Sequence, residues 1–120
     1  MPTRILIVDD DPRFRALARA LLQARGYAVV AEAANGAEAL AAVERASPDA
    51  ALVDVQLPDT DGLALARALA ETDGGLRIVL TSTDRTLVPA SALAGSPALA
   101  FVPKDELGTA DLAPWLDAQA

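Results

Sequence analysis

Five short apolar runs alternate along the chain with longer segments that have the spacing of amphipathic helices. The runs cover residues 4–8, 27–31, 50–53, 76–80 and 98–103. Runs of this length, bounded by polar and turn-forming residues, predict buried strands. Strands that alternate with helices form right-handed βαβ units, so the pattern predicts a parallel sheet with helices on both faces.

Capping and turn residues predict where the helices begin and end. Asp11 followed by Pro12 is typical of a helix start, and Gly26 is typical of a helix end. The first helix should present one apolar stripe, made of Phe14, Leu17, Ala18, Leu21 and Leu22.

The later helices are predicted from the same kinds of signal. A second helix should lie between Asn35-Gly36 and Ser47-Pro48, and a third should run over about 63–72. Because Pro89 fits only the first turn of a helix, the fourth should be short, over about 88–94. Thr109 or Asp111 is expected to cap a last helix that runs through Leu116.

Composition narrows the class of protein. At 120 residues the chain predicts one domain, and although 52% of it is hydrophobic, no run approaches the roughly 20 residues that span a bilayer. A net charge of −7 argues against binding nucleic acid without help. The absence of cysteine and of a signal peptide predicts a soluble, cytoplasmic protein, and the absence of histidine excludes histidine metal sites.

Four of the five apolar runs end in a chemically useful side chain. Asp9 and Asp10 follow the first run, Asp54 the third, Thr81 the fourth and Lys104 the fifth. Because the carboxyl ends of parallel strands meet at one edge of a sheet, these groups should lie close together. The second run, which ends at residues 32–34, offers no such group, as expected for an outer strand.

This set of side chains suits phosphoryl transfer. Three converging carboxylates repel one another, and Mg²⁺ would relieve the repulsion while binding phosphate oxygens. A lysine and a hydroxyl would neutralise or hydrogen-bond the transferred group while the spare carboxylate attacks it. Each residue alone has an ordinary explanation, such as a capping turn or a solvated charge, and only the combination points to this chemistry.

Four motifs in order resemble the receiver domain of bacterial two-component response regulators. They are ILIVDDDP, DAALVDVQLPDTDG (residues 49–62), IVLTS and FVPK. The resemblance covers nearly the whole chain and implies a flavodoxin-like (βα)5 three-layer α/β sandwich with a parallel sheet of order 2-1-3-4-5. It implies one receiver domain over residues 1–120, without an output domain, that works as a phosphorylation-dependent switch.

The resemblance also implies a role for each site residue that matches a motif position. Asp54 would be the phosphoacceptor, and Mg²⁺, or Mn²⁺ in its place, would be bound by Asp10 directly and by Asp9 largely through water. Asp54 and the backbone carbonyl of Gln56 would complete the protein ligands of the metal.

Three further residues would handle the phosphoryl group and the response to it. Lys104 would pair with the phosphoryl group, Thr81 would hydrogen-bond it, and Phe101 would be the aromatic residue that turns when Thr81 moves. The family's usual proline after the lysine is replaced by Asp105, which leaves the geometry of that loop open.

Partners follow from the same resemblance. Since the chain has no histidine, the phosphodonor would be a separate sensor histidine kinase or phosphotransfer protein. The domain would catalyse only its own phosphorylation and dephosphorylation and would regulate an attached or separate effector, including one that acts in transcription. A homodimer through the fourth helix, fifth strand and fifth helix is expected, without contact to nucleic acid or membrane.

Three alternatives remain at the level of sequence. A binding-only pseudo-receiver typically lacks one of the acids, the acceptor or the lysine, all of which are present here. A magnesium-dependent phosphatase with an aspartate nucleophile would want a second carboxylate where Gln56 stands. A nucleotide-binding module would want a glycine-rich loop after the first strand, where the sequence is Asp-Asp-Asp-Pro.

Overall fold

A five-stranded parallel sheet lies at the centre of the structure, a computed structural model that describes residues 2–117. Its strands are β1 (Arg4–Val8), β2 (Ala28–Ala33), β3 (Ala50–Asp54), β4 (Arg77–Ser82) and β5 (Ala100–Pro103). Their order, β2-β1-β3-β4-β5, confirms the predicted topology and places β2 and β5 at the edges.

Four helices connect consecutive strands, a fifth follows β5, and most of them end close to the predicted residues. They are α1 (Pro12–Ala24), α2 (Gly36–Ala46), α3 (Gly62–Thr72), α4 (Ala90–Ala94) and α5 (Ala113–Leu116), with 3-10 turns at Arg85–Leu87 and Lys104–Glu106. The side chain of Asp11 accepts a hydrogen bond from the backbone of Arg13 at 2.9 Å, which confirms the predicted cap of α1. Asn35 caps α2 through the backbone N–H of Glu38 at 2.8 Å.

Alternate residues of each central strand feed two separate apolar clusters. In β1, Ile5 and Ile7 face the side covered by α1 and α5, whereas Leu6 and Val8 face the side covered by α2 and α3. All four side chains are fully buried. Both faces of β1 are therefore core, which explains why its sequence is continuously apolar.

Two local expectations were wrong. Leu17 leaves the predicted stripe of α1 and is 63% exposed. The last helix begins after Leu112, although the Asp111 carboxylate does accept a hydrogen bond from the N–H of Ala113 at 3.2 Å.

Within residues 2–117 no helix is long and apolar enough to cross a lipid bilayer.

Gly62 allows α3 to begin directly against the end of β3. A Cβ atom at this position would lie 2.7 Å from both the carbonyl oxygen of Asp54 and the Cα of Val55. The N–H of Gly62 also donates to the carbonyl of Val55 at 2.7 Å. Because both obstacles are backbone atoms, a side chain here would displace the strand end itself.

We expect Gly62→Ala to lower the free energy of unfolding by about 1–3 kcal/mol, the usual range for forcing a group into packed surroundings. The effect opposes the helix propensity of alanine, which would otherwise favour the variant. Urea denaturation measures it. Gly74→Ala is the matched control, since a Cβ there would find its nearest heavy atom 3.9 Å away. Equal stability of the two variants would contradict the close approach.

Candidate functional site

All five parallel strands end at the same edge of the sheet, and four of them bring the predicted side chains together there. Asp54 is the last residue of β3 and pairs in register with Thr81 of β4. Asp9 follows β1, and Lys104 follows β5. The Lys104 Nζ lies 2.7 Å from Asp9 Oδ2 and 3.3 Å from Asp54 Oδ2. The ammonium thus lies between two carboxylates that are distant in sequence.

Three carboxylates form one acidic cluster. A carboxylate oxygen from each of Asp9, Asp10 and Asp54 lies within 4.8 Å of the other two. Asp9 is fully buried and Asp54 is 5% exposed, whereas Asp10 is open to solvent. Three carboxyl groups therefore face a single ammonium, so acidic groups outnumber basic ones in the cluster.

Backbone donors fix the orientation of the two buried carboxylates. Asp9 Oδ1 accepts the N–H of Asp11 at 2.8 Å, and Asp54 Oδ1 accepts the N–H of Gln56 at 3.2 Å. The second oxygen of each group faces Lys104, with hydrogen-bond geometry only for Asp54. The contact between Lys104 and Asp9 is therefore an ion pair without a well-directed hydrogen bond.

The pKa values of Asp54 and Lys104 reflect the crowding of charged groups at the site. Burial, and then the negative charge of Asp9, raises the pKa of Asp54, although Lys104 and the N–H of Gln56 act in the opposite direction. Because the native state holds this proton more tightly than the unfolded chain, ionising Asp54 lowers the stability of the metal-free fold as pH rises. For Lys104, burial lowers the pKa, but the close contacts with Asp9 and Asp54 and their negative charges outweigh it and leave the pKa raised.

The donor set fits a hard divalent cation. Carboxylate oxygens are ligands that Mg²⁺ and Mn²⁺ prefer, and Mg²⁺ typically takes one or two of them while keeping several waters. Among the described loops the carbonyl of Gln56 accepts no hydrogen bond, so it is available as a further oxygen ligand. A cation at the cluster would also offset the repulsion between the acids.

Thr81 presents a buried hydroxyl without a partner. The residue is fully buried, and its Oγ1 makes no hydrogen bond within the part of the chain that the structure describes. A buried hydroxyl in this state is uncommon because losing water without a replacement is unfavourable. Phe101 is half-buried on β5, one residue before Val102, which is the register partner of Thr81.

Two contacts at the site were not predicted from sequence. The Lys104 Nζ lies 4.4 Å from the centre of the Phe14 ring, so an α1 residue assigned only to the core also supports the lysine. Asp59 accepts the N–H groups of Gly36 at 2.8 Å and Ala37 at 3.1 Å, which joins the β3–α3 loop to the start of α2. These hydrogen bonds, that from Gly36 first, lower the pKa of Asp59. An acidic residue in a turn is too common a pattern to have revealed this contact.

The structure shows the backbone geometry between Lys104 and Asp105, which the sequence left open. The peptide bond between them is trans, as are all peptide bonds within residues 2–117. Arg85, in the loop after β4, pairs with Asp105 at 3.1 Å and also contacts Glu106. The loops that follow β4 and β5 are thus joined by ion pairs.

Comparison with known proteins identifies relatives of the whole fold. The family model described as the response regulator receiver domain matches residues 5–112. The chemotaxis protein CheY of Bacillus subtilis is 38% identical over 82 residues, which are 68% of this chain and 68% of that protein. The response regulator MprA of a Mycobacterium species is 45% identical over 85 residues, which are 70% of this chain and 36% of MprA.

A crystal structure of a two-component response regulator of the LuxR family from an Aurantimonas species superposes with a TM-score of 0.75. It is 35% identical, and the match covers 87% of this chain and 75% of that one. The match spans half or less of the length of several of the curated relatives. With the family model matching most of its length, the chain belongs to the response regulator receiver domain family.

Proposed function

We propose that Asp54 accepts a phosphoryl group in a reaction that requires Mg²⁺, or Mn²⁺ in its place, and that phosphorylation switches the domain between two signalling states. The observation that carries the proposal is the convergence of Asp9, Asp10, Asp54 and Lys104 at one edge of the sheet. The donor would be a separate sensor histidine kinase or phosphotransfer protein, because this chain has no histidine to carry the group.

In the proposed reaction an ionised carboxylate oxygen of Asp54 attacks phosphorus in line. The new bond joins this oxygen to phosphorus while the bond from phosphorus to the donor nitrogen breaks, which leaves the electron pair on that nitrogen. Lys104, already 3.3 Å from Asp54 Oδ2, would neutralise an oxygen of the transferred group. A cation held by Asp9, Asp10 and the Gln56 carbonyl would neutralise the remaining charge.

The unpartnered hydroxyl of Thr81 supports a role in the response. A phosphoryl group on Asp54 would supply the acceptor that this buried Oγ1 lacks. Movement of Thr81 and its loop would then leave room beside β5 for Phe101 to turn inward. The surface altered in this way consists of α4, β5 and α5 and includes Trp115, and a second copy of the chain would dock there.

The effector is proposed from relatives of greater length. One relative from Pseudomonas aeruginosa, 34% identical over 104 residues, is named a putative transcriptional regulator, and the match covers 50% of its length. We propose that this domain controls an effector, attached or separate, that acts in transcription. The net charge of −7 makes the receiver itself unsuited to binding nucleic acid, so contact with DNA would belong to the effector.

The first test measures covalent phosphorylation of Asp54. With acetyl phosphate and Mg²⁺, the wild type should gain one phosphoryl group by intact-mass analysis, and Asp54→Asn should gain none. Asp73→Asn is the matched control, because Asp73 follows α3 at the opposite edge of the sheet and should be labelled like the wild type. An unlabelled wild type under conditions that label a known receiver would refute the assignment and favour a domain that only binds.

Metal binding should increase the free energy of unfolding. At ten times its dissociation constant, Mg²⁺ should add about 1.4 kcal/mol to the free energy of unfolding, since it binds the native state alone. Asp10→Asn should be more stable than the wild type without metal, because repulsion in the cluster is relieved, and should respond less to Mg²⁺. A wild-type melting temperature that does not change when Mg²⁺ is added would show that the cluster is not a metal site.

Thr81 should couple phosphorylation of Asp54 to a change in the surface formed by α4, β5 and α5. With beryllofluoride and Mg²⁺, the emission of Trp115 should change while the circular dichroism in the far ultraviolet stays constant. Thr81→Ala should still be phosphorylated yet lose most of this change, whereas Thr83→Ala, at an exposed neighbouring position, should behave like the wild type. Identical wild-type spectra with and without the mimic, at proven occupancy, would mean that Trp115 does not report the switch.

A further inference from the structure

The guanidinium of Arg15 joins α1 to the backbone of the acidic cluster. Its Nη1 donates to the carbonyl oxygen of Asp9 at 2.6 Å, and its Nε donates to Glu32 Oε1 at 3.1 Å. The Arg15 side chain is only 19% exposed. Planar guanidinium donors that serve two acceptors at once are strongly oriented, so this side chain has little freedom.

Glu32 is itself held in place. It lies on β2, the edge strand, and its second oxygen accepts Arg19 Nε at 2.7 Å. Its side chain is 29% exposed, so the pairs are better shielded than those on an open surface. A strand that offers no group to the site directly therefore contributes through the residue that orients Arg15.

The carbonyl that Arg15 binds belongs to the peptide between Asp9 and Asp10. On the other side of Asp9, the N–H donates to the carbonyl of Ala33 at 3.0 Å. The two peptides that flank Asp9 are therefore each held by one hydrogen bond, and only the bond from Arg15 acts on the peptide that leads to Asp10. Asp10 needs this support, because its carboxylate is exposed and makes no hydrogen bond to residues 2–117.

We propose that Arg15, oriented by Glu32, is a positioning residue for the metal site and sets the direction in which Asp10 presents its carboxylate. The inference rests on the metal site proposed above. Arg15 touches neither the cation nor the phosphoryl group. It acts through the Asp9 carbonyl, in the way that hydrogen-bond partners behind metal ligands commonly do.

An electrostatic role and a positioning role of Arg15 predict opposite changes in metal affinity when Arg15 is removed. As a cation close to a divalent metal, Arg15 repels it, so a purely electrostatic role predicts tighter metal binding in its absence. A positioning role predicts weaker binding, because Asp10 would lose its alignment. The direction of the change therefore separates the two roles.

The test is the dissociation constant of Mn²⁺, measured from the electron paramagnetic resonance signal of the free ion, and that of Mg²⁺ by competition. Arg15→Lys keeps the charge but loses the two-acceptor fork, and we expect it to weaken binding about tenfold, the lower end of the usual range for such partners. Arg15→Ala should also weaken binding, although removal of the positive charge offsets part of the loss. Glu32→Gln should weaken it less, because Arg15 keeps its bond to the Asp9 carbonyl.

Arg13→Ala is the matched control. Arg13 lies on the same helix and carries the same charge, but it is exposed and makes no ion pair within the described chain. Its removal should leave metal affinity unchanged or slightly higher. Unfolding free energies without metal are measured for each variant, so that loss of fold is distinguished from loss of the site.

Unchanged or tighter binding in Arg15→Lys, with the wild type binding normally, would overturn this inference and leave the proposed function intact. The same loss in Arg13→Ala as in Arg15→Lys would also overturn it, because alignment of Asp10 would not be the cause. A folded wild type that binds neither cation would overturn the proposed metal site and this inference with it.

Discussion

Two carboxylates buried at the ends of neighbouring strands impose the main constraint on this molecule. Asp9 and Asp54 are removed from water, and the structure supplies one ammonium, that of Lys104, between them. Removing one partner of a buried ion pair typically costs about 3–5 kcal/mol, because the other charge is left without compensation. The pairing therefore holds the ends of β1, β3 and β5 in one arrangement, but it does not neutralise the cluster.

The remaining negative charge links stability to function. A fold whose only task was stability would gain from replacing one of these acids, whereas this one retains all three and keeps Asp10 open to solvent. The raised pKa of Asp54 has the same origin, first burial and then the charge of Asp9. Binding a cation would offset an excess of negative charge that destabilises the metal-free fold.

Support for the site comes largely from elements that carry none of its reactive groups. From α1, Phe14 packs against the Lys104 ammonium and Arg15 binds the Asp9 carbonyl. Gly62 allows the start of α3 to touch the Asp54 backbone. The loop that follows β4 is joined to the loop that follows β5 through the ion pairs of Arg85.

The sequence by itself determined the five strands, most of the helix boundaries and the strand-end residues, because these depend on interactions within a few positions. Continuous apolar runs identified all five strands, and capping residues located the starts of α1 and α2 to the residue. The motifs that resemble the family supplied the strand order.

The tertiary structure decided the contacts between distant segments. The exposure of Leu17 depends on how α1 rolls against the sheet, and helical periodicity alone does not contain that angle. The pairing of Arg15 with Glu32 and the contact of Phe14 with Lys104 depend on the position of β2 and β5 beside α1. The same holds for the unpartnered hydroxyl of Thr81, since burial and hydrogen bonding are properties of the packed chain. Local patterns name the groups at the sheet edge, but only packing sets the distances and charges that give them chemistry.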